Sequence, residues 1–147
     1  ECSLIIVGTG PEEKNLKNIS SMLKLNKNIH FYKNLPRKTL LKLLQTSSIL
    51  CSTSNTEGFG INVIEAAASG VPYVISNIEV FKEITKNGQG GLFFKTRDIK
   101  DLASQLTTLL ENKSIYKKKQ KEALNLAKLY DWNNVSLETE KVYKSLT

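Results

Sequence analysis

Apolar residues along this chain follow two rhythms. Short continuous runs, Leu4-Ile5-Ile6-Val7, Ile29-His30-Phe31-Tyr32, Ile49-Leu50-Cys51-Ser52, Tyr73-Val74-Ile75 and Gly91-Leu92-Phe93-Phe94, have the β-prone character of buried strands. Between them, apolar residues recur at spacings of three and four, the helical period. Leu16, Ile19, Ser20 and Leu23 predict the buried face of a helix that Pro11 opens and whose dipole Glu12 and Glu13 complement. Leu40, Leu41, Leu43 and Leu44 predict a short helix over 39–45. Val63 to Ser69 is Ala-rich and is stopped by Gly70, with Pro72 beyond. A short helix over 79–84 ends at Lys86-Asn87-Gly88, and Asp98 caps another with Ile99, Leu102, Ala103, Leu106, Leu109 and Leu110 in one stripe. A Lys-rich helix has Ala123, Leu126, Ala127 and Tyr130 as its apolar positions. Asp131-Trp132 opens the last helix, with Val135, Val142, Tyr143 and Leu146 apolar. Strand and helix alternate throughout, and strands without polar alternation are covered on both faces. The expected class is α/β: a Rossmann-like open parallel sheet with helices on both faces, one domain over 1–147.

The strand at Ile49 and the helix at Val63 are joined by Thr56-Glu57-Gly58-Phe59-Gly60-Ile61-Asn62. In an open α/β sheet such a junction is where ligands bind, because backbone N–H groups and the helix dipole point into the crevice at the strand carboxyl ends. Gly58 and Gly60 let a ligand approach the backbone closely. A helix start of this kind attracts phosphate. Glu57 and Glu65, with seven residues between them, would repel a phosphate they touched directly. Ionised carboxylates are acceptors only, so hydroxyl groups are their natural partners. Phosphate on the glycine amides and hydroxyls on two carboxylates together describe a sugar nucleotide. The earlier Gly8-Thr9-Gly10 lacks the third glycine of a dinucleotide fingerprint, whose position is Glu13, so it reads as a tight turn near the ligand.

Composition adds bounds. A hydrophobic share of 40% and a charged share of 24% over 147 residues suit a globular domain with a real core. No apolar run approaches the roughly 20 residues that span a bilayer. Cys2 and Cys51 lie in or beside apolar runs and are expected to be reduced, buried thiols. No metal-ligand spacing exists, and the only histidine, His30, reads as structural. The net charge of +7 is compatible with nucleic acid, an anionic membrane or plain solubility. Its clearest cluster is Lys117, Lys118, Lys119 and Lys121, either a solvated helix face or a membrane-surface patch. No aromatic is interleaved there for base stacking, so no nucleic-acid partner is expected.

Glu57-Gly58-Phe59-Gly60, then Glu65 followed by Ala66-Ala67-Ala68-Ser69-Gly70-Val71-Pro72, resembles the signature of family-4 retaining glycosyltransferases with the GT-B fold. The likeness runs on through Gly8-Thr9-Gly10-Pro11, Gly90-Gly91-Leu92-Phe93-Phe94 and Tyr130-Asp131-Trp132. The resemblance implies the C-terminal, donor-binding domain of such an enzyme. The chain begins on a strand without an initiator Met, and the family's first strand–helix unit, with an Arg and a Lys facing the diphosphate, has no counterpart here. A fragment of a two-domain enzyme, inactive in isolation, is therefore expected.

By the same resemblance Glu65 accepts from the ribose hydroxyls, and Glu57, the catalytic candidate, holds hydroxyls of the transferred hexose. The amides of Phe59, Gly60 and Ile61 meet the sugar and distal phosphate, and Asn62 stands where the family often has Pro. The first turn, with Gly8 and Gly10, and the turn with Asn34 and Leu35 approach the nucleotide, where the family grips the base largely by backbone groups. Lys33 and Asn34 occupy a turn in which the family often has glycine. Glu83, at a position where the family often has Glu, reads as surface charge. Partners implied are a nucleoside-diphosphate sugar and a sugar, glycan or glycolipid acceptor held mainly by the other domain. No metal or other cofactor is expected, and the location implied is cytoplasmic, with peripheral contact at the inner membrane face.

Two other readings stand beside this one. Glu57 and Glu65 could be the acid/base pair of a glycosidase, which would need carboxyl groups roughly 5 to 9.5 Å apart and an open sugar cleft. The chain could also be a non-catalytic nucleotide-binding module.

Overall fold

A computed structural model describes residues 2–146. The chain divides into two compact units, Glu1–Leu41 and Lys42–Thr147. In the first, β1 (Leu4–Val7) and β2 (Ile29–Tyr32) form a parallel pair with Leu4 opposite Ile29 and Val7 opposite Tyr32. Helix α1 (Glu13–Met22) connects them. Helix α2 (Arg37–Thr46) runs across the division. In the second unit β3 (Leu50–Ser52), β4 (Tyr73–Ser76) and β5 (Gly91–Phe94) form a parallel three-stranded sheet in that order. Helices α3 (Ile61–Ala68) and α4 (Glu79–Ile84) make its crossovers. Then follow α5 (Ile99–Glu111), α6 (Lys113–Ala127), a 3-10 turn (Lys128–Tyr130) and α7 (Trp132–Ser145). All ladders among the described residues are parallel, as the alternation predicts, although the strands fall into two sheets.

The core of the second unit is built on β4, whose four residues are all buried. Tyr73 and Ile75 face Val63, Ala67, Phe81, Ile84, Ala123 and Leu126, from α3, α4 and α6. Val74 turns to the opposite face and meets Phe94 and Leu109, with Leu102 and Leu106 of α5 beside them. Each large apolar side chain removed from water in this way contributes about 1.5–3 kcal/mol. This two-faced burial is why β4 carries a run of apolar residues without alternation. Polar groups inside it are paired: Thr85 donates to the Phe81 carbonyl at 2.6 Å and accepts the Gly88 N–H at 3.0 Å.

Helix boundaries follow local chemistry. The Asp98 side chain accepts from the N–H groups of Lys100 and Asp101, the predicted cap, and the Asp131 side chain accepts from that of Asn133 at the start of the helix that Asp131-Trp132 was expected to open. Gly70, at φ +68°, ends α3.

Burial departs from the sequence expectation at several places. Of the predicted inner face of α1 only Ser20 is buried; Leu16, Ile19 and Leu23 stay exposed. Two strands offer that helix too little sheet to cover its apolar side. The leucines of α2 are half-buried, none fully. Ile99 is exposed and Leu110 nearly half exposed, leaving Leu109 as the buried anchor of α5. Cys2 and Cys51 are both exposed, contrary to the buried thiols expected. Cys51 pairs with Val74 on the edge strand β3, where its side of the strand lacks the cover that α5 gives to Val74. Tyr130 lies in the 3-10 turn, beyond the Lys-rich helix. The apolar side of α7 is solvent-facing from Trp132 to Leu146. His30 is exposed on β2.

Candidate functional site

The turn between β3 and α3 holds the candidate residues of the second unit. Gly60 is the residue that converts loop into helix. Its φ of +87° is a left-handed conformation natural to glycine, and a Cβ there would stand 2.7 Å from Phe81 Cε1 and 3.0 Å from Ile84 Cδ1. The backbone of the turn is therefore seated directly on α4. Gly60, the N-cap residue of α3, has no side chain with which to cap it. The helix start keeps an uncapped dipole, the arrangement that receives an anion. The Val63 N–H is bonded to the Gly60 carbonyl at 3.0 Å and to the side chain of Asn62 at 2.9 Å. Asn62 thus turns back onto its own helix, which is what the residue standing in place of the family's Pro does here.

Glu57 lies within the turn and Glu65 on α3; both are half-buried. Gly58, Phe59, Ile61 and Asn62 are exposed. Gly58 has open space where a Cβ would be. The Phe59 ring meets Tyr130 edge-on, with centroids 5.8 Å apart and planes at 79°. Tyr130 donates its hydroxyl to the Ile84 carbonyl at 2.8 Å. The sequence gives no local signal for this pairing of residues far apart in the chain.

In the first unit, the candidates sit at the carboxyl ends of two adjacent strands. Gly8 follows β1, and its N–H donates to the Tyr32 carbonyl at 2.9 Å. Gly8 and Gly10 have open space in place of a Cβ. Asn34 and Leu35 follow β2, with Asn34 at φ +47° in the turn. Lys33, on that turn, pairs with Glu13 at 2.7 Å, and Glu13 also binds Lys17 at 2.7 Å. These two ammonium groups hold the Glu13 carboxyl below the usual glutamate range. Glu13, read from the sequence as a dipole partner, thereby also ties the start of α1 to the Lys33 turn.

An open groove of about 850 Å³ runs along α5 from Lys100 to the Asn112 junction. A smaller one of about 450 Å³ lies among Ala68, Leu124, Asp131 and Asn134. The basic helix is not uniformly free. Lys119 donates to the Gly88 carbonyl at 2.8 Å and pairs with Glu122 at 2.9 Å; Lys118 is exposed and stands 4.0 Å from the same carboxylate, and Lys117 and Lys121 are exposed. Glu83 is exposed on α4, as read. Among the described residues no group of three or more His, Cys, Asp or Glu is gathered for a metal. None of the described helices is long and apolar enough to cross a membrane.

Known proteins share this architecture. The chain is 34% identical over 116 residues to an uncharacterized glycosyltransferase of Haemophilus influenzae, covering 78% of this chain and 32% of that protein. It is 35% identical over 107 residues to N,N'-diacetylbacillosaminyl-diphospho-undecaprenol alpha-1,3-N-acetylgalactosaminyltransferase of Campylobacter jejuni, covering 73% and 28% of the two. The chain spans about a third of the length of these relatives. HepE of Anabaena, solved in complex with UDP, superposes with a TM-score of 0.81 at 20% identity, over 99% of this chain and 40% of that one. That likeness shows the fold, the α/β architecture of GT-B glycosyltransferases. The family model for glycosyl transferases group 1 matches residues 1–126, and the chain belongs to that family.

Proposed function

We propose that this chain is the donor-binding part of a retaining glycosyltransferase, one domain of a larger enzyme that transfers a hexose from a nucleoside diphosphate to a sugar, glycan or glycolipid acceptor. The observation that carries the reading is the start of α3 at left-handed Gly60, whose N-cap has no side chain, flanked by half-buried Glu57 and Glu65. Membership of the glycosyl transferases group 1 family supports it.

In this reading the N–H groups around Phe59, Gly60 and Ile61 receive the distal phosphate and sugar. Negative charge grows on that phosphate as the bond to the sugar breaks, and fixed N–H dipoles lower the barrier by stabilising it. Glu65 accepts from ribose hydroxyls and Glu57 from hexose hydroxyls, the partners a carboxylate oxygen suits. Asn62 contributes to the donor site by shaping the first turn of α3. In the first unit, the backbone at Gly8, Gly10, Asn34 and Leu35 is the part we assign to the nucleotide. Retention follows from attack on the face that the diphosphate leaves, with the leaving phosphate taking the acceptor's proton. No metal enters this scheme.

HepE was solved with UDP, so a uridine nucleotide is the first ligand to try. The Campylobacter relative's name includes a diphospho-undecaprenol. A lipid-linked acceptor would suit peripheral contact of exposed Lys117, Lys118 and Lys121 with an anionic inner membrane face in the cytoplasm. The test is titration of the full-length protein with UDP, GDP, ADP and their sugar conjugates, followed by NMR or thermal shift. One nucleotide class should bind, and Glu65→Ala should weaken that response while Lys117→Ala leaves it intact. An equal response to every polyanion would overturn the reading.

A further inference from the structure

We propose that Tyr130 is a positioning residue for the turn that opens α3, acting through Phe59; this rests on the donor-site reading above. Three contacts converge. The Tyr130 and Phe59 rings meet edge-on at 5.8 Å, an arrangement in which the positive edge of one ring faces the negative face of the other. The Tyr130 hydroxyl is anchored on the Ile84 carbonyl at 2.8 Å. Ile84 and Phe81 are also the residues on which Gly60 is seated. One end of α4 therefore supports the turn from below and holds the tyrosine that fixes its aromatic residue.

Phe59 needs such a partner. It is 45% exposed and stands between Gly58 and Gly60, so neither neighbour has a side chain to restrict the backbone. Gly60 stays seated on α4 in any case; without Tyr130 it is the Phe59 side chain and the peptide on its Gly58 side that lose their hold. Burial, with Glu83 close by, pushes the Tyr130 phenol up, so the hydroxyl remains a donor through the neutral range. Tyr130 touches no ligand in this scheme. Its effect is confined to the groups assigned to the distal phosphate and sugar.

The test uses the full-length protein with a nucleoside diphosphate and the matching monophosphate, UDP and UMP first, GDP/GMP and ADP/AMP next. Tyr130→Leu should weaken diphosphate binding about five- to tenfold, the scale of one lost aromatic contact and its ordering effect. Monophosphate binding, which lacks the distal phosphate, should change by less than about twofold. Tyr130→Phe keeps the ring and should restore most of the diphosphate affinity. Equal loss for both ligands, or loss for neither, would overturn the proposal. Glu65→Ala separates it from the underlying reading: that variant should weaken both ligands. If Glu65→Ala changes neither, or if the unsubstituted protein binds no diphosphate, the donor-site reading falls and this inference with it.

Discussion

The carboxylate of Glu122 accepts the backbone N–H of Gly90 at 3.1 Å, joining α6 to the loop before β5 across 32 positions. Lys119 completes the clamp through the Gly88 carbonyl and Glu122. Gly90 has little freedom beneath it: φ is +85°, and a Cβ would stand 2.8 Å from Ala123 Cα. Tyr73 fastens the same loop by donating its hydroxyl to the Gln89 carbonyl.

Removing the clamp should destabilise the fold. Glu122→Ala leaves the buried Gly90 N–H without its acceptor, which costs about 1–3 kcal/mol. Urea unfolding of the variant should show a lower midpoint with an unchanged slope. A midpoint equal to that of the parent would mean that water or another group satisfies Gly90.

The clamp should also be sensitive to acid. Burial pushes the Glu122 carboxyl up, but the Lys119 ammonium and the Gly90 N–H outweigh it, and the group titrates below the usual glutamate range. A carboxyl depressed by folding adds stability above its unfolded pKa and loses it as pH falls through the folded value. The stability gap between parent and Glu122→Ala should thus be full at neutral pH and close on acidification. A gap that widens in acid would contradict this sign.

The lysines of α6 should separate into two kinds. Lys119→Ala should lower stability, because its ammonium bonds a carbonyl and a carboxylate. Lys117→Ala and Lys121→Ala, at exposed positions, should stay within about 0.5 kcal/mol of the parent. In co-sedimentation with anionic vesicles, Lys117→Glu/Lys121→Glu should reduce binding of the full-length protein. Undiminished binding would remove these residues from the proposed membrane contact.

Gly60→Ala should be costly beyond ordinary helix propensity. The added Cβ meets Phe81 and sits at a strained positive φ, a penalty of about 1–3 kcal/mol. Nucleoside-diphosphate binding should fall with it, read by titration at a temperature where the variant remains folded. Preserved binding would show that the turn backbone does not hold the phosphate.

Much of this molecule was legible from local pattern. The apolar runs at Leu4, Ile29, Ile49, Tyr73 and Gly91 all became parallel strands, the third starting one residue later at Leu50, and α4 took the range 79–84 read for it. Asp98 caps the helix it was expected to cap and Asp131 starts the one it was expected to open, because an N-cap is satisfied by N–H groups two or three residues away. Gly70 ends α3 at positive φ, as its place after the Ala-rich run predicts. Burial was another matter. Leu16 and Ile19 have the right spacing yet remain exposed, and Cys51 sits in a strand yet faces out. Periodicity says which face a residue shares; only the packed chain says whether anything covers that face. The contacts of Tyr130 with Phe59 and of Glu122 with Gly90 belong to the same category. They join positions that no local rule relates, so tertiary packing alone brought each pair together.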